Sequence, residues 1–100
     1  MLIKWSNIGL DKLKYPADII VLVIAMVTAF ILMVTAAGKE REVMEKLLAM
    51  PEVKEAYVVY GEYDLVVKVE TDTLKDLDQF ITEKIRKMSE IQMTSTMIAI

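Results

Sequence analysis

The stretch Gly61-Glu62-Tyr63-Asp64 lies between two related segments of the chain. Met50-Pro51-Glu52-Val53 precedes it and corresponds to Met88-Ser89-Glu90-Ile91, which follows it. Each of these segments comes after a helical pattern and before a strand pattern. The order is therefore strand, helix, strand, repeated once, with Gly61–Asp64 as the hairpin that joins the halves. This order predicts an α+β, ferredoxin-like βαββαβ domain with a four-stranded antiparallel sheet.

The composition argues against several classes of function. The chain of 100 residues has a formal net charge of −3, and its lysines and arginines alternate with carboxylates instead of forming a basic stripe. This pattern argues against direct nucleic-acid binding. The sequence has no Cys and no His, which removes thiolate chemistry, the commonest general base and the commonest metal ligands. We expect no cofactor, no metal and no enzymatic activity.

The first 25 residues are a separate problem. The run Ile19–Ala37 carries no charge and approaches the length of a membrane-spanning helix. However, Val27–Thr35 lies inside this run, and it is the one candidate for the first strand of the repeated plan. We therefore expect residues 1–25 to be an N-terminal extension and residues 26–100 to be the domain, with Met26 as a possible alternative start. This interpretation argues against a membrane anchor, and a membrane-tethered interaction module is the alternative.

Both helices have recognisable ends. The first is expected from about Lys39 to Ala49, because Gly38 permits a sharp turn and Pro51 cannot continue a helix. The second is expected to begin near Thr73, where Thr73-Leu74-Lys75-Asp76 resembles a capping box. The charge run Glu83–Lys87 is typical of a solvated helix face. The apolar stripes are Val43, Met44, Leu47 and Leu48 in the first helix and Leu74, Leu77, Ile81, Ile85 and Met88, with Phe80 beside them, in the second.

The first strand is apolar on both faces. Phe30, Leu32 and Val34 alternate with residues that are equally apolar, whereas a half-solvated strand would alternate with polar residues. Two helices cover only one face of the sheet. The other face needs a partner, and a second copy related by two-fold symmetry is the simplest one. The sequence therefore predicts a homodimer packed sheet to sheet, of the dimeric α+β barrel type.

The hairpin is the first candidate binding element. Gly61 supplies the positive φ that tight turns require, and Asp64 is able to accept hydrogen bonds from backbone amides two residues further on. Amide N–H groups left bare beside Gly61 would form a small nest for a carboxylate. An ordinary hairpin with a good turn sequence is the alternative.

The last strand is the second candidate. With a period of two, Thr94 and Thr96 place two hydroxyls on one face. Met93, Ser95 and Met97 are then expected on the opposite face, under the helices. Paired hydroxyls are suited to orienting an amino or carboxylate group, although threonine is also simply a good strand former.

Residues 26–100 resemble the RAM domain, the effector-binding half of the Lrp/AsnC (feast/famine) transcription regulators. The resemblance rests on the turn at Val53 into the second strand, on Gly61-x-Tyr63-Asp64 followed by Leu65, and on Thr94-x-Thr96 near the end. It implies a cytoplasmic protein whose dimers assemble further, commonly into an octamer, with free amino acids bound where dimers meet. The ligand-binding residues that it implies are Gly61, Glu62, Tyr63, Asp64, Leu65, Thr94 and Thr96.

Residues 1–25 are too short and too apolar for a helix-turn-helix domain, so the resemblance implies a stand-alone RAM protein that does not itself bind DNA. We expect it to sense a free amino acid, hydrophobic such as isoleucine or leucine. Binding would modulate its own assembly or that of full-length Lrp/AsnC regulators. A small dimeric α+β barrel enzyme is the alternative, and without His and Cys its chemistry would depend on Tyr or Asp.

Overall fold

A four-stranded sheet with two helices on one face makes up the part of the chain that the computed structural model describes, residues 26–100. All neighbouring strands are antiparallel, in the order β2-β3-β1-β4. This is the predicted ferredoxin-like α+β fold. The elements in chain order are β1 (Val27–Thr35), α1 (Glu40–Leu48), β2 (Val53–Val58), β3 (Leu65–Thr71), α2 (Leu74–Phe80), a π-helical turn (Ile81–Ile85) that continues α2, and β4 (Ile91–Ile98).

The uncharged run contributes a strand at its second half, because Val27–Thr35 is β1. None of the helices in residues 26–100 is long and apolar enough to cross a membrane. The predicted extension, residues 1–25, lies outside the described residues.

One apolar core lies between the sheet and the two helices. In β1, Ala29, Ile31 and Met33 are fully buried in this core. Leu48 and Leu74 depart from the predicted stripes, being 47% and 60% exposed. Leu48 ends α1 and Leu74 begins α2, and a helical period does not reveal where the sheet beneath it stops. The helix residues that are buried in the core are Val43, Leu47, Leu77, Phe80 and Ile85.

Local sequence signals set the helix ends as expected. Gly38 has φ +79° and provides the turn before α1. At the start of α2, the Thr73 hydroxyl accepts a hydrogen bond from the Asp76 amide at 3.1 Å, which satisfies one of the free N–H groups of the first turn.

The two faces of β4 are the reverse of the prediction. Thr94 pairs with Met33 and Thr96 pairs with Ile31, and paired residues of antiparallel strands share a face. The two threonines therefore lie on the helix side of the sheet. Met93 and Met97 lie on the open face of the sheet, where they pair with Val34 and Phe30. The alternation was right, but it cannot assign the faces when both are apolar.

Two ion pairs tie each half of the domain to the other. Lys46 of α1 binds Glu90, just before β4. Lys84 of the π-helical turn binds both carboxylate oxygens of Glu52, just before β2, at 2.8 and 2.9 Å. Each lysine stands four residues before the methionine that opens its repeated segment, so the two pairs are equivalent under the internal duplication. The backbone repeats this symmetry, with Val53 N–H donating to Met50 O at 3.2 Å and Ile91 N–H donating to Met88 O at 3.1 Å.

Candidate functional site

The hairpin that joins the halves spans residues 59–64. It is closed by a hydrogen bond from Val59 N–H to Asp64 O at 2.9 Å. Gly61 has φ +137°, and no atom lies within 4 Å of the position that a Cβ would take. Glycine is therefore required by the backbone conformation and not by lack of space, as the sequence predicted.

The amides at the tip of this hairpin are free donors in the described part of the chain. Within residues 26–100, no hydrogen-bond acceptor is found for the N–H groups of Gly61, Glu62 or Tyr63. Gly61 and Glu62 are exposed and Tyr63 is half-buried. Consecutive unpaired amides attract an anionic oxygen, so the tip is able to hold a carboxylate. We call Gly61–Tyr63 the amide nest.

Asp64 makes different hydrogen bonds from the one predicted. Its carboxylate does not bind an amide two residues further on. Instead, Asp64 Oδ2 accepts from Thr35 N–H at 2.9 Å, and Asp64 N–H donates to Met33 O at 2.8 Å. Asp64 therefore fixes the hairpin to the end of β1. Leu65 is fully buried, so its side chain belongs to the core.

The two candidate elements lie at the same end of the sheet. Met33 pairs with Leu65, next to the hairpin, on one side and with Thr94 on the other. Because β1 stands between them, β3 and β4 are about 10 Å apart. Thr94 is half-buried and Thr96 is exposed. One chain brings the nest and the hydroxyls to one end of the sheet but keeps them on opposite sides of β1.

A cleft of 320 Å³ lies at this end, between the end of the π-helical turn and β4. It includes Thr94 from the predicted set. It also includes Arg86, which lies in the charge run predicted to be a solvated helix face. Nothing in the local sequence indicates the π-helical turn that comes before Arg86. The residues that line it are Ile85, Arg86, Ile91, Gln92, Met93 and Thr94.

A second cleft, of 390 Å³, lies at the opposite end of the sheet and contains none of the predicted residues. The cleft is acidic, with Glu70, Asp72 and Asp76 in its wall. The ion-paired side chains of Lys84 and Glu52 also line it. Burial alone would raise the pKa of Glu52, but the hydrogen bond from Lys84, backbone hydrogen bonding and nearby positive charge outweigh it and lower this pKa. No group of carboxylates in residues 26–100 is arranged to hold a metal ion.

Comparison with known proteins identifies the family. Residues 28–100 match the Lrp/AsnC ligand binding domain. The HTH-type transcriptional regulator FL11 of Pyrococcus furiosus is 38% identical over 74 residues, which cover 74% of this chain and 48% of FL11. The crystal structure of the hypothetical protein PHS023 from Pyrococcus horikoshii is 97% identical over 74% of this chain and 89% of that chain, with a TM-score of 0.73. The transcriptional regulator NMB0573 of Neisseria meningitidis, in complex with L-Met, has the same fold at 17% identity, covering 97% of this chain and 64% of its own, with a TM-score of 0.70.

The chain therefore belongs to the Lrp/AsnC ligand-binding domain family, as its residues predicted. It spans about half the length of relatives such as FL11. FL11 is named an HTH-type transcriptional regulator. These matches confirm the family and the fold, whereas the ligand-binding residues remain a prediction.

Proposed function

We propose that this domain senses a free amino acid in transcription regulation. The observation that carries the proposal is the amide nest, whose N–H groups find no acceptor within residues 26–100 and lie at the same end of the sheet as Thr94. Family membership supports it, as does the L-Met complex of a regulator with the same fold. The apolar walls of the cleft beside Thr94 favour a hydrophobic amino acid such as isoleucine or leucine.

The site is proposed to form between subunits. In one chain β1 separates the nest from Thr94 and Thr96, so a ligand the size of an amino acid contacts both only if a second copy supplies one of them. A ligand that contacts two subunits binds the assembled state more tightly than the separated state, and it shifts assembly by mass action. We propose homodimers packed through the open face of the sheet, assembling further into an octamer.

The regulatory output is proposed to pass through full-length Lrp/AsnC regulators. Their RAM domains would present the same surfaces, so mixed assemblies would depend on the same ligand. A coupling free energy of about 1–3 kcal/mol, typical of allosteric systems, is enough for such a response.

A panel of the twenty amino acids, with thermal melting and oligomer size as readouts, tests the proposal. At least one hydrophobic amino acid is expected to raise the melting temperature and enlarge the assembly. Thr96→Val is expected to weaken that response and leave the dimer intact. Thr82→Val, at an exposed position on the π-helical turn, is the matched control and should respond like the wild type. Unchanged melting and size with all twenty amino acids would rule out the sensor.

A further inference from the structure

The cleft beside β4 combines apolar walls with polar groups at one end of the sheet. Ile85, at its base, is 1% exposed. Ile91 is half-buried against the core and Met93 is exposed. Gln92 and Thr94 add an amide and a hydroxyl. A cleft of 320 Å³ is at the small end of the range for ligand sites, which suits a molecule no larger than an amino acid.

Arg86 is the positive charge of this cleft. Its backbone N–H donates to Ile81 O at 2.9 Å, the i→i+5 bond of the π-helical turn, and turns of this kind are frequent at functional sites. Lys46 and Lys84 on the same layer of helices are both ion-paired. The Arg86 guanidinium, by contrast, has no carboxylate within ion-pair distance among residues 26–100.

These groups match one chemical class of ligand. A guanidinium binds a carboxylate through two parallel hydrogen bonds. An aliphatic side chain would lie against Ile85 and Ile91, and Thr94 and Gln92 offer oxygens to an ammonium group. The combination fits a small α-amino acid with an aliphatic side chain.

We propose that this cleft is the part of the effector site that takes the aliphatic side chain, and that Arg86 binds the ligand carboxylate. The inference rests on the proposed function and deepens it. The amide nest of a second copy then completes the site, because a carboxylate has enough lone pairs to accept from both the guanidinium and the nest. The ligand carboxylate would therefore be bound by Arg86 of one copy and by the amide nest of the other.

Calorimetric titration with three probes tests this assignment. The probes are leucine, leucinamide, which lacks the carboxylate, and 4-methylpentanoate, which lacks the amino group. Wild-type protein is expected to bind leucine and 4-methylpentanoate and to discriminate against leucinamide. Arg86→Gln is expected to lose about tenfold or more in affinity for both carboxylates and little for leucinamide. Arg41→Gln, exposed on α1, is the control and should bind all three probes as the wild type does.

The outcomes separate the inference from the proposed function. If Arg86→Gln keeps the leucine affinity and the discrimination against leucinamide while Thr96→Val loses binding, the Arg86 assignment is wrong and the sensor proposal stands. If 4-methylpentanoate binds in an Arg86-dependent manner while no amino acid of the panel has an effect, the cleft is a carboxylate site and the amino-acid sensor is wrong. If neither carboxylate probe binds the wild type, the Arg86 inference is overturned.

Discussion

Asp64 belongs to the predicted ligand-binding set, yet the hydrogen bonds of its side chain hold the fold together. Its carboxylate accepts from Thr35 N–H, and its backbone bonds to Met33 and Val59. These bonds fix the hairpin to the end of β1 and so position the amide nest. The partner of the carboxylate lies 29 residues away in the sequence, which is why a local turn motif could not identify it.

Asp64→Ala removes the acceptor for Thr35 N–H. We expect the free energy of unfolding to fall by about 1–3 kcal/mol, because a charge-assisted bond is lost and a partly buried amide is left without a partner. Asp64→Asn keeps an oxygen acceptor and should lose less. Urea unfolding of both variants measures the difference. Equal losses, or no loss in either variant, would show that the bond to Thr35 contributes nothing.

Residue types that act locally were predictable from the sequence. Gly61 was identified from the φ that a turn needs, and Thr73 from the free amides at a helix start, and the structure agrees with both. Arg86 was not singled out from the sequence, because nothing in the residues around it indicates the π-helical turn that places it beside β4. A run of charges on a helix is most often a solvated face, so the local sequence gives no reason to choose Arg86 over the charged residues next to it.

At the scale of the element, periodicity indicated which segments form strands and helices, while it did not indicate which face of a strand lies under the helices. β1 runs from Val27 to Thr35 as predicted. In β4 the period of two was right and the faces were reversed, since Thr94 pairs with Met33 on the helix side. The register includes an irregularity between Val34 and Thr35, and one residue of shift moves every following side chain to the other face.

The first turn of α2 depends on Thr73. Thr73→Ala removes the acceptor for Asp76 N–H, and we expect a loss of about 0.5–2 kcal/mol in unfolding free energy. Thr73→Ser keeps the hydroxyl and should stay close to the wild type. Thermal unfolding by circular dichroism is the measurement. A serine variant as unstable as the alanine variant would assign the effect to the lost methyl group and not to the cap.

At the scale of the whole molecule, the open face of the sheet is the surface through which we propose that two copies pack. The residues opposite the helices include Phe30, Leu32 and Val34, which are half-buried in the single chain. Among residues 26–100 no helix lies above this apolar surface, and apolar area of this kind favours association with a second copy. A strand sequence that is apolar on both faces indicates that the open face needs a covering partner, although it does not identify that partner.

Leu32→Glu places a charge in the middle of that face. We expect dissociation to monomers, because an unpaired carboxylate is costly to bury in a sheet-to-sheet contact. Light scattering on the eluted peak measures the mass, and circular dichroism checks that the sheet is retained. Glu70→Gln, near the end of β3, is the control and should remain a dimer. A wild-type protein that is monomeric in dilute solution would contradict the proposed assembly.

The equivalent ion pairs, Lys46–Glu90 and Lys84–Glu52, make the two halves interdependent, because each helix is bound to the turn before the other half's last strand. The hydrogen bond from Lys46 and backbone hydrogen bonding lower the pKa of Glu90, and the pKa of Glu52 is also lowered on balance. A carboxyl group whose pKa is lower in the folded state stabilises the fold above its unfolded pKa, about 4.3 for glutamate. That contribution is lost as the pH falls through the folded pKa.

Glu52→Gln with Glu90→Gln removes both pairs, so its stability should depend less on pH than that of the wild type. We expect the wild type to be more stable at pH 7 and the difference to shrink towards zero as the pH falls below about 4. The difference should be small, since ion pairs that water reaches contribute little to stability, and 1 M salt should reduce it further. Urea unfolding across the pH range, with Glu45→Gln on the exposed side of α1 as the control, is the measurement. If the difference were the same at pH 3 as at pH 7, packing around the two turns and not charge pairing would hold the duplicated halves together.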